Sequence, residues 1–496
     1  MSISERSPPP ASSNELTPLV GEPSSKKKEN QPTPKIVLWL VAALLVLALG
    51  FLLEMPATHK AWKKMHSALR KKSHTNNKDA SKFFFQSGKI GDTSRQDFGA
   101  RKEEHLILFD DFSSSSSLQE LWHSDVSLFG EGNGGFAYYT DHNVKVEEGD
   151  QQLKIRPGLF RDLGKLQTGV PNQVYDAADV MMGNCTPFPE CSTFTVGKSF
   201  DHDSSPCTIA DFSGCQRIGT PLVALNPVTS GRVSTRDTFH FTYGRLEARM
   251  RLAQGDYLWP AFWLMPNEAK YGVWPNSGEI DLMEAKGNAP GYIVNDKDSG
   301  RDVFVSSLHY AGNPWWHTQA TAKASELFSS SSFDFADDFF TVGLYWTDTR
   351  MYAYVLVDND ETEHILWEAN AASGFGPDDV PLGSRAAPLG RERDQNERTP
   401  VEGAGPYVNS THKNAPFDQP FYIIFNMAVG GVQNGCPDPN YWGEHAIWCT
   451  EADKSRPEVA GSTVFWEHRD QWLPTWEHAK AAGRDAFTID WVKVWQ

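Results

Sequence analysis

Phe487-Thr488-Ile489-Asp490-Trp491-Val492-Lys493-Val494-Trp495 ends the chain in near alternation of apolar and polar side chains. Side chains two apart on a strand share a face, so Phe487, Ile489, Trp491 and Trp495 are expected on one side, with Thr488 and Asp490 on the other. The same period-two pattern recurs in Tyr243–Leu252, Val303–Tyr310, Phe339–Trp346, Met351–Asp358 and Phe421–Val429, separated by Gly, Asp, Asn and Pro. Many short strands, frequent turns and no long helical period predict an all-β sandwich. No internal repeat interrupts this pattern. Two stretches, about 157–220 and 365–416, read as long loops carried on the scaffold, of a length that is usually functional or disulfide-stapled.

The chain has 496 residues, which suits one large domain plus appendages. Hydrophobic residues make up 40%, enough for a sizeable core, so wholesale disorder is excluded. Lys+Arg 46 against Asp+Glu 63 gives a net charge of −17, unevenly distributed. Residues 1–78 hold 12 Lys/Arg and 5 Asp/Glu, a surplus of 7, which leaves −24 on the rest. So acidic a body argues against nucleic acid as a partner, because phosphate binding needs a basic surface. The aromatic load (Trp 17, Tyr 14, Phe 29) suits both a β-sandwich core and a surface that grips sugar rings.

From Ile36 to Leu53 the chain is apolar without one charge, long enough to span a membrane core of about 30 Å as a helix. A cleaved signal peptide is the rival. The preceding segment is long for one, and no small-x-small site follows Leu53, so the run is read as an uncleaved signal anchor. The expected organisation is a disordered cytoplasmic tail over 1–35, the span over 36–53, a basic stem over 54–104 and a folded body over 105–496. Lys60, Lys63, Lys64, Arg70, Lys71 and Lys72 follow the span, and flanking charge alone would put the body in the cytoplasm. The cysteines oppose that count. Cys185, Cys191, Cys207 and Cys215 cluster in one stretch, and Cys436 and Cys449 form a second close pair. Two even groups suit disulfides in an oxidising compartment, with free buried thiols as the alternative. Asn184-Cys185-Thr186 and Asn409-Ser410-Thr411 are glycosylation acceptor triplets. The body is therefore expected to be lumenal or extracellular, held by a single N-terminal span.

The segment richest in chemistry is Trp274-Pro275-Asn276-Ser277-Gly278-Glu279-Ile280-Asp281-Leu282-Met283-Glu284. Apolar residues interleave with three acids, as on a strand with one buried face. On a regular strand Glu279 and Asp281 share a face and Glu284, five residues on, points away. One β-bulge near Leu282-Met283 returns Glu284 to the shared face. Three carboxylates then converge as glycoside hydrolysis requires, with a nucleophile and an acid/base about 5–5.5 Å apart in retaining enzymes. Crowded negative charge keeps one carboxyl protonated to act as the acid. The competing readings are an acidic strand facing water or a calcium site, although no loop has a decisive calcium ligand pattern. Trp274, just before the acids, is a candidate to stack on sugar. Trp259 and Trp263, four apart, share a strand face, and Trp315-Trp316 is a further candidate platform. No Zn-type Cys/His spacing, phosphate-binding Gly loop or Ser/His/Asp arrangement stands out, and no cofactor beyond a structural calcium is expected.

With its surroundings, the acid segment resembles glycoside hydrolase family 16 in the laminarinase branch. Tyr243-Gly244-Arg245-Leu246-Glu247-Ala248-Arg249 and Trp259-Pro260-Ala261-Phe262-Trp263-Leu264-Met265-Pro266 look like the strands that precede that family's catalytic strand. Ser307-Leu308-His309-Tyr310, Phe340-Thr341-Val342-Gly343-Leu344-Tyr345-Trp346, Phe425-Asn426-Met427-Ala428-Val429-Gly430-Gly431 and the closing Asp490-to-Trp495 run follow in the family's order. Pro266 through Asn288, the Cys-containing insert and Asn226-Pro227 to Arg232 are similar to β-1,3-glucan recognition proteins and their catalytic laminarinase relatives.

The resemblance covers roughly residues 105–496. It implies a concanavalin-like β-jelly-roll sandwich with an open cleft on its concave face, and retaining endo-hydrolysis of β-1,3-glucan. Carried over by position, it makes Glu279 the nucleophile, Glu284 the acid/base and Asp281 the helper carboxylate. It makes Trp259, Trp263, Trp274, His309, Asn426 and Arg245 the candidates for substrate contacts. Members that only recognise glucan have typically lost the acids, and this chain keeps all three. The span, the stem and the 365–416 insertion depart from secreted laminarinases. They leave two alternatives open: a glucan transglycosylase in glucan or cell-wall assembly, and a non-catalytic β-1,3-glucan receptor.

Overall fold

In a computed structural model of the chain, the described residues are 104–113, 117–130, 134–147, 149–198, 206–294, 296–310, 317–323, 334–357, 363–369, 407, 410–431, 442, 453 and 455–496. The Ile36–Leu53 run, the tail and nearly all of the stem, Asn409, Cys436, Cys449, Trp315 and Trp316 lie outside them. Among the described residues no helix is long and apolar enough to cross a membrane.

Two eight-stranded sheets pack face to face. The first runs His123–Ser124, Arg232–Ser234, Phe421–Val429, Leu258–Pro266, Glu279–Ala285, Val303–His309, His317–Lys323, with His240–Phe241 also pairing to Phe421–Val429. The second runs His364–Ala369, Met351–Val357, Phe340–Trp346, Gly244–Arg251, Phe487–Trp495, Leu153–Ile155, Val144–Val146, with Leu106–Asp110 added against Phe487–Trp495. The pairings within both are antiparallel. Alternation sends one set of side chains inward from each sheet. Phe262, Leu264, Ile280, Met283, Phe304, Leu308, Ile423, Phe425 and Met427 meet Leu246, Met250, Val342, Leu344, Val355, Phe487 and Ile489, all fully buried. Rings cross the interface directly: Phe425 lies 6.2 Å from Phe487, and Phe304 lies 5.8 Å from Phe340. Burying each such side chain is worth about 1.5–3 kcal/mol, so this layer fixes which faces of the sheets point outward.

The closing strand departs from the expected faces. Its register against Gly244–Arg251 pairs Arg249 with Trp491 but Met250 with Ile489, so Asp490 is an extra residue. Beyond that bulge the phase inverts. Val492 and Val494 take the core, and Trp491 and Trp495 turn to the outer face, where Lys493 lies 4.2 Å from the Trp491 ring and the Arg245 guanidinium 3.8 Å from that of Trp495. Asp490 accepts hydrogen bonds from Gln152 at 2.9 Å and Arg249 at 2.8 Å, which holds the bulge open.

Two helices, Gly461–Glu467 and Arg469–Ala481, lie where no helical period was expected. Trp472, Trp476 and Ala479 form the buried stripe of the longer helix, with Trp472 stacked on Phe465 of the shorter one at 4.6 Å. Pro474 sits inside the longer helix although it lacks the N–H that would reach the Asp470 carbonyl. The 157–220 stretch is built from short pieces, including the helix Ala177–Met182 and the paired strands Thr193–Thr195 and Gln216–Ile218. Disulfides Cys185–Cys191 and Cys207–Cys215 staple it. The start of the 365–416 stretch is not loop either, because the edge strand runs His364–Ala369.

Candidate active site

Gly278 turns the chain into the acid strand with φ +88°, and a side chain there would press on the rings of Phe417, Pro416 and Phe421 at about 3.1–3.2 Å. Past it, the strand Glu279–Ala285 carries one bulge. Asp281 faces Trp263 and Ser307, Met283 faces Phe262, and Glu284 faces Ala261 and Val305, so the register skips Leu282. Against the neighbouring strand, Glu279, Asp281 and Glu284 therefore oppose His309, Ser307 and Val305, alternate positions on one face. Ile280, Leu282 and Met283 are fully buried. The single extra residue expected from the spacing is what puts all three acids on the outer face of the first sheet.

Each carboxylate has a distinct neighbourhood. Trp274 Nε1 donates to Glu279 Oε2. His309 Nε2 lies 2.9 Å from Asp281 Oδ2, with the Trp274 and His309 rings 5.8 Å apart. The Asp281 backbone carbonyl accepts from Ser306 Oγ at 2.8 Å, and Ser306 Oγ accepts from Trp367 Nε1 at 2.8 Å. Trp367 belongs to the second sheet, so the bulge is held from beneath, through the core.

Burial dominates the acid strengths. It pushes Glu279 up to about 7, helped by the negative charge of Asp281 and opposed by His309, the Trp274 hydrogen bond and Arg232. Glu284 is raised well above the usual carboxyl range, first by burial, then by Asp281 and Glu279, against the pull of His309 and Lys286. For His309 burial works against charge, but the hydrogen bond to Asp281 and the three surrounding acids outweigh it and raise the imidazole to about 9. Lys286 is lowered to about 8 by burial, with Glu284 opposing, and its ammonium lies 5.5 Å from the Trp442 ring. Near neutral pH this is an imidazolium clamped to Asp281 between two carboxyls that resist ionisation.

The other expected contact residues divide. Trp263 shares the acids' face, and Trp259 sits four residues earlier on the same strand, 8% exposed, with its ring 6.2 Å from Trp442. Trp274 stands at the rim, 49% exposed. Asn426 is buried, and it accepts from Trp263 Nε1 at 2.6 Å while donating to Tyr139 at 3.3 Å, so it anchors the tryptophan. Arg245 is a correction. It lies on the outer face of the second sheet, pairing with Glu104 at 2.8 Å and Glu247 at 2.9 Å over Trp495. Its strand neighbours Leu246 and Ala248 fill the core between it and the acid-bearing sheet. Residues that the acid spacing did not point to are Arg232, whose guanidinium lies 4.8 Å from the Trp263 ring, Lys286, Trp442 and the Ser306–Trp367 pair. They come from distant parts of the chain and carry no local signature. Among the described residues no group of His, Cys, Asp or Glu is arranged to hold a metal ion.

Residues 218–381 match the family "Glycosyl hydrolases family 16". A β-1,3-glucan-binding protein of Penaeus monodon is 29% identical over 388 residues, spanning 76% of this chain and 87% of that protein. Glucan endo-1,3-beta-glucosidase A1 of Niallia circulans is 30% identical over 212 residues, 43% of this chain and 24% of that one. Among solved structures, the endo-beta-1,3-glucanase from Pyrococcus furiosus is matched over 80% of this chain and 95% of its own, at 20% identity and a TM-score of 0.41.

Proposed function

We propose that the sandwich is a retaining endo-β-1,3-glucanase that works by double displacement. The observation that carries this reading is the acid trio brought to one face across a one-residue bulge, with a different hydrogen-bond partner on two of its members. Glu279 is the nucleophile. The Trp274 indole and the cations of His309 and Arg232 favour its carboxylate, so it is the acid of the pair suited to attack the anomeric carbon. Glu284, held well above the usual carboxyl range by burial and its acidic neighbours, is the acid of the pair suited to hold a proton and deliver it to the leaving oxygen. The glycosidic bond breaks as the Glu279 ester forms. Glu284, now ionised, takes a proton from water, which displaces the ester and restores both groups. Asp281, paired with His309, orients Glu279 and offsets its change of charge. The exposed half of Trp274, beside Val273 at 80% exposure, offers an apolar face for a sugar ring next to the scissile bond.

Laminarin is the deciding substrate. Release of reducing ends with β-configured first products supports the reading. No release from laminarin or mixed-linkage glucan by folded protein would overturn it.

A second reading, glucan binding without turnover, is favoured by the likeness to the β-1,3-glucan-binding protein of Penaeus monodon, which aligns along three quarters of the chain. Saturable β-1,3-glucan binding with no product would select it.

We also read Ile36–Leu53 as a signal anchor with the sandwich on the lumenal or extracellular side. The two disulfides support an oxidising compartment. Protection of the sandwich from added protease in sealed membranes, and a size shift on deglycosylation that is lost in Asn184→Gln, would bear on it; Asn184 is exposed.

A further inference from the structure

Trp263 stands opposite Asp281 on the acid-bearing face and is held on two sides. Its Nε1 donates to Asn426, and the Arg232 guanidinium lies against its ring. A planar cation on a ring fixes that ring only if its own rotation is fixed, and a carboxylate on the guanidinium does so. Asp125 is that carboxylate. Its Oδ2 lies 2.9 Å from Arg232 Nε, in a pair whose side chains are 17% and 9% exposed, and its N–H donates to the Arg232 carbonyl at 2.8 Å.

Asp125 is in turn tied to a covalently closed loop. Its Oδ1 accepts from Thr208 Oγ1 at 3.0 Å, and Thr208 follows Cys207, which is bonded to Cys215. The attachment continues along the segment. Thr208 Oγ1 accepts the Val126 N–H at 3.0 Å, Ser127 Oγ donates to the Ile209 carbonyl at 2.7 Å, and the Leu128 N–H donates to the Gly214 carbonyl at 2.8 Å. Phe129, next along, packs 5.3 Å from the same guanidinium.

We propose that Asp125 is a positioning residue for the substrate-facing floor: anchored by Thr208 to the Cys207–Cys215 loop, it locks Arg232 over Trp263 and so sets the Trp263 ring beside the acids. The 157–220 insert thereby takes part in glucan binding without lining the acids itself. The sugar-binding half of this statement rests on the glucanase reading; the clamp on Trp263 does not.

The test uses the full chain in detergent with isotope-labelled tryptophan, following exchange of the Trp263 indole N–H, assigned by its loss in Trp263→Phe. The indoles of Trp122 and Trp472, bonded to Asp110 at 2.8 Å and the Phe465 carbonyl at 3.0 Å, are the references. Asp125→Asn keeps the shape but removes the charge, and should speed Trp263 exchange at least about threefold relative to both references. Thr208→Val, which removes the hydroxyl bonded to Asp125 but leaves the ion pair, should act in the same direction by a smaller factor and carries the test if Asp125→Asn does not fold. Asp125→Glu should recover part of the slow exchange. In a Glu279→Gln background, Asp125→Asn should weaken binding of a β-1,3-linked oligosaccharide by about threefold to tenfold. Unchanged Trp263 exchange, or equal acceleration at all three indoles, would overturn the clamp. A wild-type chain that neither binds nor cleaves β-1,3-glucan would instead overturn the glucanase reading, with the exchange result still deciding the clamp.

Discussion

His309 Nε2 sits 2.9 Å from Asp281 Oδ2, placing a cation in the middle of a row of three acids. Without it, three adjacent carboxyls in a half-buried row would repel one another strongly enough to keep most of them protonated. With it, the row holds a mixed state in which one acid ionises and another keeps its proton. His309→Asn should therefore raise the Glu279 carboxyl above its present value of about 7. The acid limb of the kcat/KM profile should move to higher pH, with activity at pH 6 reduced by about tenfold or more. An acid limb left in place would detach His309 from the chemistry.

Glu279→Gln should lower kcat by at least about a thousandfold, since the amide has no oxyanion to attack with, while oligosaccharide binding survives. Single-turnover assays with laminarin and calorimetry on the same preparation check both halves. Wild-type turnover would move the nucleophile elsewhere.

The same substitution should stabilise the fold, with a defined pH dependence. Burial raises the Glu279 carboxyl from 4.5 to about 7, so the folded chain binds the proton more tightly than the unfolded one. The Glu279 contribution to wild-type stability thus declines as pH rises from about 4.5 to 7 and levels off above, and Gln removes that decline. The gain at pH 8 relative to pH 4 is roughly 1–3 kcal/mol, allowing for coupling among the acids. Denaturant melts at the two pH values measure it, and an equal difference at both would contradict the assignment.

His309 acts in the same direction, in a higher pH window. Its imidazole rises from 6.5 to about 9 on folding, so its stabilising contribution is complete below about 6.5 and is lost as pH climbs through 9. In His309→Asn, the fall in stability between pH 7 and 10 should shrink, by an amount visible in thermal melts.

Arg245→Leu separates the two faces of the sandwich. The guanidinium bonds Glu104 and Glu247 over Trp495, and removing it takes the cation from the largely buried Glu247, which keeps its hydrogen bond from the Tyr354 hydroxyl. Stability should drop by roughly 2–4 kcal/mol, with kcat and KM of the surviving folded protein within about twofold of wild type. A selective rise in KM would return Arg245 to the substrate side.

The acids were legible because carboxylates interrupting an apolar run have few uses, and their spacing admitted one bulge. Asp490 also makes a bulge, yet nothing in Trp491-Val492-Lys493-Val494-Trp495 selects a phase: tryptophans and valines alternate, so either set could fill a core. The core chose the valines, and the tryptophans went to stack under cations. The helix Arg469–Ala481 was hidden by Pro474 and by a buried stripe of only three residues. Arg245 was misplaced because its strand has the right order in the chain but belongs to the other sheet. Asp125, Arg232 and Trp367 act through partners tens to hundreds of positions away, which no local pattern encodes.

The indole of Trp367 reaches from one layer to the serine beneath the bulge of the other. Two layers of a sandwich slip past each other more readily than either layer stretches, because the aliphatic contact between them has no preferred direction. This single directional bond opposes such slippage at the spot where the reactive row stands. A substitution at Trp367 would thus permit a small lateral drift of the acid-bearing layer, felt at the acids as misalignment long before the sandwich loosens.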